Sequence, residues 1–340
     1  MMERRGFLQG ASISGGDARS VLSGEYEFGL FVGAWDDRAI SVTGAGHLRI
    51  RNALLLSFAS TDPEGKQRQH EEILREFLLA CGANVDPIAA VTEDVESEWD
   101  RIWPAAKALL PSSGARCLID LTACPRYYSL GLIAGLISEG RAESIDVFYA
   151  EGIYGGIQEP PNAEDVPFSI GRWSSLPIPF LEGQFKPSRP KLYVVSAGFE
   201  GNKTLRLLER DDPERIALIF PIPGVVPLYD DEVERRNRPI LERFGMNRTE
   251  VMTAAAGDAI KVWSILNRRS VERDAEDVYY LCCGTKAHSL GLAMRALTVN
   301  RPTVLYNVPE RHNFVPVRPG GTFWLYRLRD LSALPLGHSL

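Results

Sequence analysis

Arg126 and Lys286 stand where this chain is best equipped for chemistry. Each follows a short apolar run and a polar turn, and each leads within three residues into Ser-Leu-Gly-Leu. The two stretches are CLIDLTACPRYYSLGL (117–132) and VYYLCCGTKAHSLGLA (278–293). The cations are 160 residues apart (286 − 126), and so are Ser129 and Ser289 (289 − 129). A strand, a turn with one cation and a helix start form the arrangement with which α/β folds hold phosphates. The first N–H groups of such a helix lack intrahelical partners and add neutral donors for an anion. Its occurrence twice predicts a tandem duplication with two anion-binding half-sites.

The other turns expected at the same sheet edge supply further candidates. After the first strand of each half come Trp35, Asp36, Asp37 and Arg38, matched by Phe199, Glu200, Gly201, Asn202 and Lys203. After the second strand come Ser57, Ser60 and Thr61, matched by Pro221 and Pro223. After the fourth come Thr122, Pro125, Arg126 and Ser129, matched by Gly284, Thr285, Lys286, His288 and Ser289. Each has a plainer reading. Ser129 and Ser289 suit first-turn positions that satisfy backbone donors. Asp36 and Asp37 suit a turn, and Trp35 suits a core. His288, beside Lys286, is either a proton carrier or a polar contact.

Several chemistries are not written in the chain. It has no Walker A sequence, no G-x-G-x-x-G turn after a strand, no H-E-x-x-H and no Cys/His zinc spacing. G-x-S-x-G is also missing. Cys282 and Cys283 are adjacent, so in a strand they face opposite ways and make a poor metal pair. No metal and no cofactor are expected. The expected site holds an anionic ligand with turns and cations.

The elements that must position these residues repeat as well. Trp103 in SEWDRIWPAAKAL pairs with Trp263 in GDAIKVWSILNRR, again 160 apart (263 − 103). FGLFVGAWDDRAISV resembles KLYVVSAGFEGNKTL, and ALLLSFAS resembles IALIFPIPG. EEILREFLLACGANV matches RPILERFGMNRTEV, and SIDVFYAEGIY matches PTVLYNVPERH, with Tyr149 opposite Tyr306. The order is the same in both halves. Alternating strands and helices predict two tandem Rossmann-like, doubly wound α/β units with mostly parallel sheets, related by a pseudo-two-fold axis. Residues 157–190 contain seven prolines, from Pro160 to Pro190, which exclude a continuous helix. The expected organisation is a flexible tail over 1–24, a first unit over 25–186 and a second over 187–340. Each half is expected to finish with a strand pair on its own sheet edge, where proline is tolerated.

Composition fits an ordinary α/β protein. The 340 residues are 45% hydrophobic with a net charge of −6, and the pI near 5.6 argues against a protein that coats duplex DNA. Five cysteines without regular spacing predict reduced thiols rather than a disulfide framework. Arg4-Arg5 resembles an export signal, but the ASISGGDARS that follows is small and polar rather than apolar. A cytoplasmic protein without a membrane segment is the expectation.

The segment CCGTKAHSLGLAM resembles the G-T-K turn of CARF domains, the CRISPR-associated Rossmann-fold sensors, and of SAVED domains, which fuse two such units in one chain. The topology extends the resemblance over most of residues 26–330, while the motif itself spans a few residues. The resemblance implies that Gly284, Thr285 and Lys286 contact ligand phosphates or ribose and that Arg126 takes Lys286's place in the first half. Ser57, Ser60 or Ser196 would match a ligand-contacting serine after an early strand. Ala123-Cys124-Pro125 departs from the Gly-rich turn, which implies an asymmetric site. It further implies a sensor of cyclic or linear oligonucleotide second messengers, bound between two lobes and read by an effector partner in prokaryotic antiviral defence. The alternative is a metal-independent phosphodiesterase, or another α/β enzyme acting on a phosphorylated nucleotide, in which Lys286 stabilises developing phosphate charge and His288, or an acid from Asp36, Asp37 or Glu200, moves the proton.

Overall fold

The repeated aliphatic runs form strands buried on both faces, the pattern of a parallel sheet covered by helices on either side. The computed structural model describes residues 7–14, 22–58, 65–90, 94–155, 169–183, 189–268, 276–299, 301–313 and 315–334. In chain order the first elements are β1 (Leu8–Ser14), β2 (Ser23–Gly33), a 3₁₀ helix (Asp37–Gly44), β3 (His47–Phe58) and α1 (Lys66–Ala80). There follow β4 (Asn84–Ala90), α2 (Val95–Leu109), β5 (Ala115–Asp120), α3 (Arg126–Ser138) and β6 (Ala142–Tyr154). The next set is β7 (Ser169–Pro177), β8 (Lys191–Ser196), α4 (Gly201–Asp211), β9 (Arg215–Pro221), α5 (Leu228–Phe244) and β10 (Thr249–Ala254). The last is α6 (Ala259–Arg268), β11 (Asp277–Cys282), α7 (Lys286–Val299), β12 (Thr303–His312) and β13 (Val317–Leu328).

Two sheets result, and they share one winding. The first has the order β4-β3-β2-β5-β6-β13-β1 and the second β10-β9-β8-β11-β12-β7. The strands from β4 to β6 and from β10 to β12 in these orders are parallel, while β13 runs antiparallel to both β6 and β1, and β7 antiparallel to β12. Each unit is thus a Rossmann-like, doubly wound sheet whose strand order reverses between its first and fourth parallel strands. Those switch points lie between β2 and β5 and between β8 and β11, and ligands in open α/β sheets bind beyond the strands' carboxyl ends there.

Apolar faces pack each unit. Leu55, Leu74, Leu78, Phe148 and Leu325 share a core in the first, and Val195, Leu218, Ile240 and Phe244 in the second. The helices after the fourth strands are apolar around nearly their whole circumference. Every residue from Tyr127 to Ile137 and from Ala287 to Ala296 is buried, so α3 and α7 sit inside their units.

Three expectations are corrected. Residues 8–14 form β1, paired antiparallel with β13, instead of belonging to a tail. The strands that follow the fifth parallel strands are exchanged: β7 pairs with β12 in the second sheet, and β13 pairs with β6 in the first. The compact units are therefore 1–154 with 316–334, and 155–315 with 335–340, rather than a division after residue 186. Two prolines of the exchanged pairs fall at register shifts, Pro309 in β12 and Pro319 in β13, and Pro177 ends β7; at such positions a missing ladder donor is tolerated.

Candidate functional site

Arg126 and Lys286 are the first residues of α3 and α7, half-buried, at equivalent positions of the two switch points. No side chain caps α3 at Pro125. The start of α7 is capped by Thr285, whose Oγ1 accepts the His288 amide at 3.1 Å and donates to the Ala256 carbonyl at 2.7 Å. That hydroxyl serves the helix in the structure, where the G-T-K resemblance implied a ligand contact.

The serines repeat one local bond. Ser129 Oγ donates to the Pro125 carbonyl at 3.1 Å, and Ser289 Oγ donates to the Thr285 carbonyl at 3.0 Å. Both side chains are fully buried. Each satisfies an acceptor four residues back, so the helix-start reading of these residues describes them and the ligand reading does not. Thr122 is also occupied: its hydroxyl accepts the Ala150 amide at 3.0 Å, and its amide donates to Asp120 Oδ1 at 2.9 Å.

In the second unit the two switch-point turns approach closely. A Cβ on Gly284 would overlap the Ala197 carbonyl oxygen and Ser196 Oγ, and one on Gly198 would overlap the Cys283 carbonyl. Glycine at 284 is required by this approach rather than by its φ. Ser196 Oγ lies directly beneath Gly284, is fully buried and has no hydrogen-bond partner.

His288 is fully buried within α7. Its Nε2–H donates to the Ala255 carbonyl at 2.9 Å, while Nδ1 has no partner. Burial lowers its pKa to about 4 because a second N–H would be desolvated without an acceptor. A neutral, enclosed imidazole bonded to a backbone carbonyl matches the polar-contact reading of His288.

The turns after the first strands hold internal acid–base pairs. Arg38 grips Asp36 with Nε at 3.0 Å from both carboxylate oxygens and Nη2 at 2.5 Å from Oδ2, and both residues are buried. Burial opposes the guanidinium charge, but Asp36 outweighs it and raises the pKa well above the usual arginine range. Arg38 Nη1 also donates to the Ala150 carbonyl at 3.3 Å, and its guanidinium lies 5.7 Å from the Tyr154 ring centroid. A Cβ on Gly152 would come within 2.7 Å of Arg38 Nη1, so that glycine leaves room for the fork. In the second unit Glu200 and Lys203 are 3.3 Å apart. Lys203 Nζ donates to the Ser169 carbonyl at 2.6 Å and to Ser169 Oγ at 2.5 Å, and Ser169 Oγ donates to Glu200 Oε1 at 2.5 Å. Trp173 Nε1 donates to Ser169 Oγ at 3.0 Å, and Lys203 Nζ sits 5.6 Å from its ring centroid.

These pairs fasten two ribbons. Strand β6 is last matched to β5 at Phe148 and continues to Tyr154, paired there with β13. Strand β12 is last matched to β11 at Leu305 and continues to His312, paired along the way with β7. Those last residues, six in β6 (154 − 148) and seven in β12 (312 − 305), extend roughly 20 Å beyond the parallel sheet at ~3.3 Å per residue. At its base each ribbon also touches the turn after the fourth strand, through the Ala150 amide to Thr122 and through Asn307 Nδ2 to Cys283 Sγ at 3.2 Å.

Other candidates separate. Ser57 is the penultimate residue of β3, half-buried and paired with Gly33 and Ala89. Trp35 is half-buried and Asn202 is exposed on α4. Ser60 and Thr61 lie outside the described residues. The sequence reading missed Ala150, Gly152, Ser169, Trp173 and Asn307, whose roles arise only from strand pairing. A cavity of about 500 Å³ lined by Phe58, Gln67, Glu71 and Arg75, and another of about 470 Å³ lined by Glu25, His47 and Cys81, contain no switch-point residue. Among the described residues no cluster of His, Cys, Asp and Glu could hold a metal, and no helix is long and apolar enough to cross a membrane.

Fold and site together define a duplicated Rossmann-like protein with a cation at each switch point. No family model matches the chain, and no curated protein matches its sequence. Among solved structures it is similar to the adenylation, ketoreductase and pseudo Asub multidomain structure of a keto acid-selecting NRPS module. The identity is 10%, over 81% of this chain and 28% of that one, with a TM-score of 0.22. The chain thus spans about a quarter of that protein's length, and a TM-score so low carries no functional argument.

Proposed function

We propose that this protein is a sensor of a phosphate-bearing nucleotide, of the oligonucleotide second-messenger class bound by the CARF and SAVED domains it resembles. One observation carries the reading: each unit places a cation on the first residue of the helix that follows its fourth strand, at the switch point. The helix start supplies N–H donors and the cation supplies charge-assisted ones, the combination that recognises phosphate. The acidic protein as a whole does not oppose this, because a phosphate responds to the local field. A sensor also needs a reader, and an effector protein is the partner class proposed. The burial of His288 and the engagement of Asp36 with Arg38 and of Glu200 with Lys203 favour binding over the phosphodiesterase alternative, since they occupy three of its candidate proton carriers.

A thermal-shift screen against cyclic di-, tri- and tetranucleotides and common mononucleotides, with chromatography of each hit after incubation, tests this. A stabilising compound that returns intact is the expected result. Lys286→Ala and Arg126→Ala should each weaken binding by about 10- to 100-fold, the usual worth of a charged hydrogen bond of ~1.5–3 kcal/mol. Undiminished binding by the double variant would remove the site assignment, and breakdown of the nucleotide would replace the sensor with an enzyme.

A further inference from the structure

The two ribbons are fastened unequally. In each unit the ribbon starts from the column of the fifth strand (β6 or β12) and is tied to the turn after the first (β2 or β8). The fourth strand lies between those columns, so the link from each ribbon to that turn spans the column whose helix begins with Arg126 or Lys286. In the first unit the tie is Arg38, which donates from Nη1 to the Ala150 carbonyl at 3.3 Å while a buried fork holds it on Asp36, and Gly152 leaves room for it. The Arg38 and Asp36 side chains are only 6% and 10% exposed. In the second unit the tie is one lysine ammonium shared between Glu200 and Ser169, and the Lys203 and Glu200 side chains are 21% and 19% exposed. An ammonium is a compact, solvated point charge without the arginine's two-pronged hold.

We propose that the β7–β12 ribbon is a strap across the switch point of the second unit, released when an incoming phosphate takes Lys203 from Glu200 and Ser169, while the β6–β13 ribbon stays fastened. This regulation rests on the phosphate-binding reading of the site. An anion of higher charge than a carboxylate competes directly for Lys203. Once Lys203 leaves, Ser169 keeps Glu200, Trp173 and its pairing with His312, and the start of β7 loses the two bonds from the Lys203 ammonium. The first unit has no such weak point, because an anion that took Arg38 would leave the Asp36 carboxylate buried without its counter-ion.

Hydrogen exchange of the ribbons reads this directly. In Lys203→Met, amides of residues 169–177 should exchange about tenfold faster or more, while those of 145–154 keep their rate. Lys203→Arg, which copies the fork of the first unit, should slow exchange at 169–177 below wild type and shows that the segment still folds. Wild-type rates in both variants would overturn the strap. Millimolar pyrophosphate should speed exchange at 169–177 in wild type, change the Trp173 emission, and add nothing in Lys203→Met. Pyrophosphate that raises Tm while leaving 169–177 unchanged would also overturn it. Pyrophosphate that does not raise Tm at all counts against phosphate binding itself, and the two lysine variants still decide the strap.

Discussion

Acidification should weaken this protein through one imidazole. His288 is fully buried, its Nε2–H is committed to the Ala255 carbonyl, and its pKa falls from an ordinary 6.5 to about 4 because burial opposes the charged ring. The unfolded chain therefore binds a proton below pH ~6.5 that the folded chain refuses until pH ~4. Stability from this group is complete above pH 6.5, declines as pH falls, and is lost by pH ~4. The difference of about 2.5 (6.5 − 4), at ~1.36 kcal/mol for each pKa step, gives roughly 3 kcal/mol in full and about 2 kcal/mol by pH 5. Urea unfolding of wild type and His288→Gln from pH 7.5 to 4.5 isolates the effect, because glutamine keeps an N–H for Ala255 and does not titrate. Wild type should lose stability relative to the variant by that amount across the window. Parallel profiles would mean that the imidazole is solvated or paired in the folded state, and the burial argument would fail.

Asp36→Asn should destabilise the first unit by about 3–5 kcal/mol, because it strands the buried Arg38 charge; denaturant midpoints measure it. Gly284→Ala should cost roughly 1–3 kcal/mol in the same assay and reduce nucleotide affinity, since the added methyl forces the turns after β8 and β11 apart. Native alkylation at pH 8, followed by mass spectrometry, should label Cys81 and Cys283 first. Cys117, Cys124 and Cys282 are buried, and burial raises the Cys117 thiol far above its ordinary range. Rapid labelling of Cys117 would show that the first sheet opens more readily than its packing implies.

The parallel core of each unit was legible because aliphatic strands and helices alternate in the same order twice. The switch-point cations followed from their 160-residue spacing, which needs no knowledge of tertiary structure. Pairing of the edge strands was not legible. Val317–Leu328 and Ser169–Pro177 show edge character, but which sheet accepts a strand depends on tertiary contacts such as Phe148 against Phe323 (ring centroids 5.8 Å apart). The small polar residues of β1 hid a strand that packs against β13 alone. The ion pairs escaped for a related reason. Asp36–Arg38 and Glu200–Lys203 are close in sequence, yet what makes them fasteners is the distant carbonyl of Ala150 or Ser169. The serines misled because a Ser at a helix start suits a phosphate contact and a bond to a carbonyl four residues back equally well.

The exchange of β7 and β13 sets an order of events during synthesis. Strand β6 is complete when Tyr154 has been made, but its neighbour β13 ends only at Leu328, 174 residues later (328 − 154). At ~5–20 residues per second the ribosome takes roughly 9–35 s to supply it. Through that interval the nascent first sheet carries an open strand edge of the kind that recruits other chains. Strand β7 emerges before any strand of the sheet it joins, and waits for β12. The first-made unit is thus the last to be closed, and its β6 edge is where a chaperone would be needed.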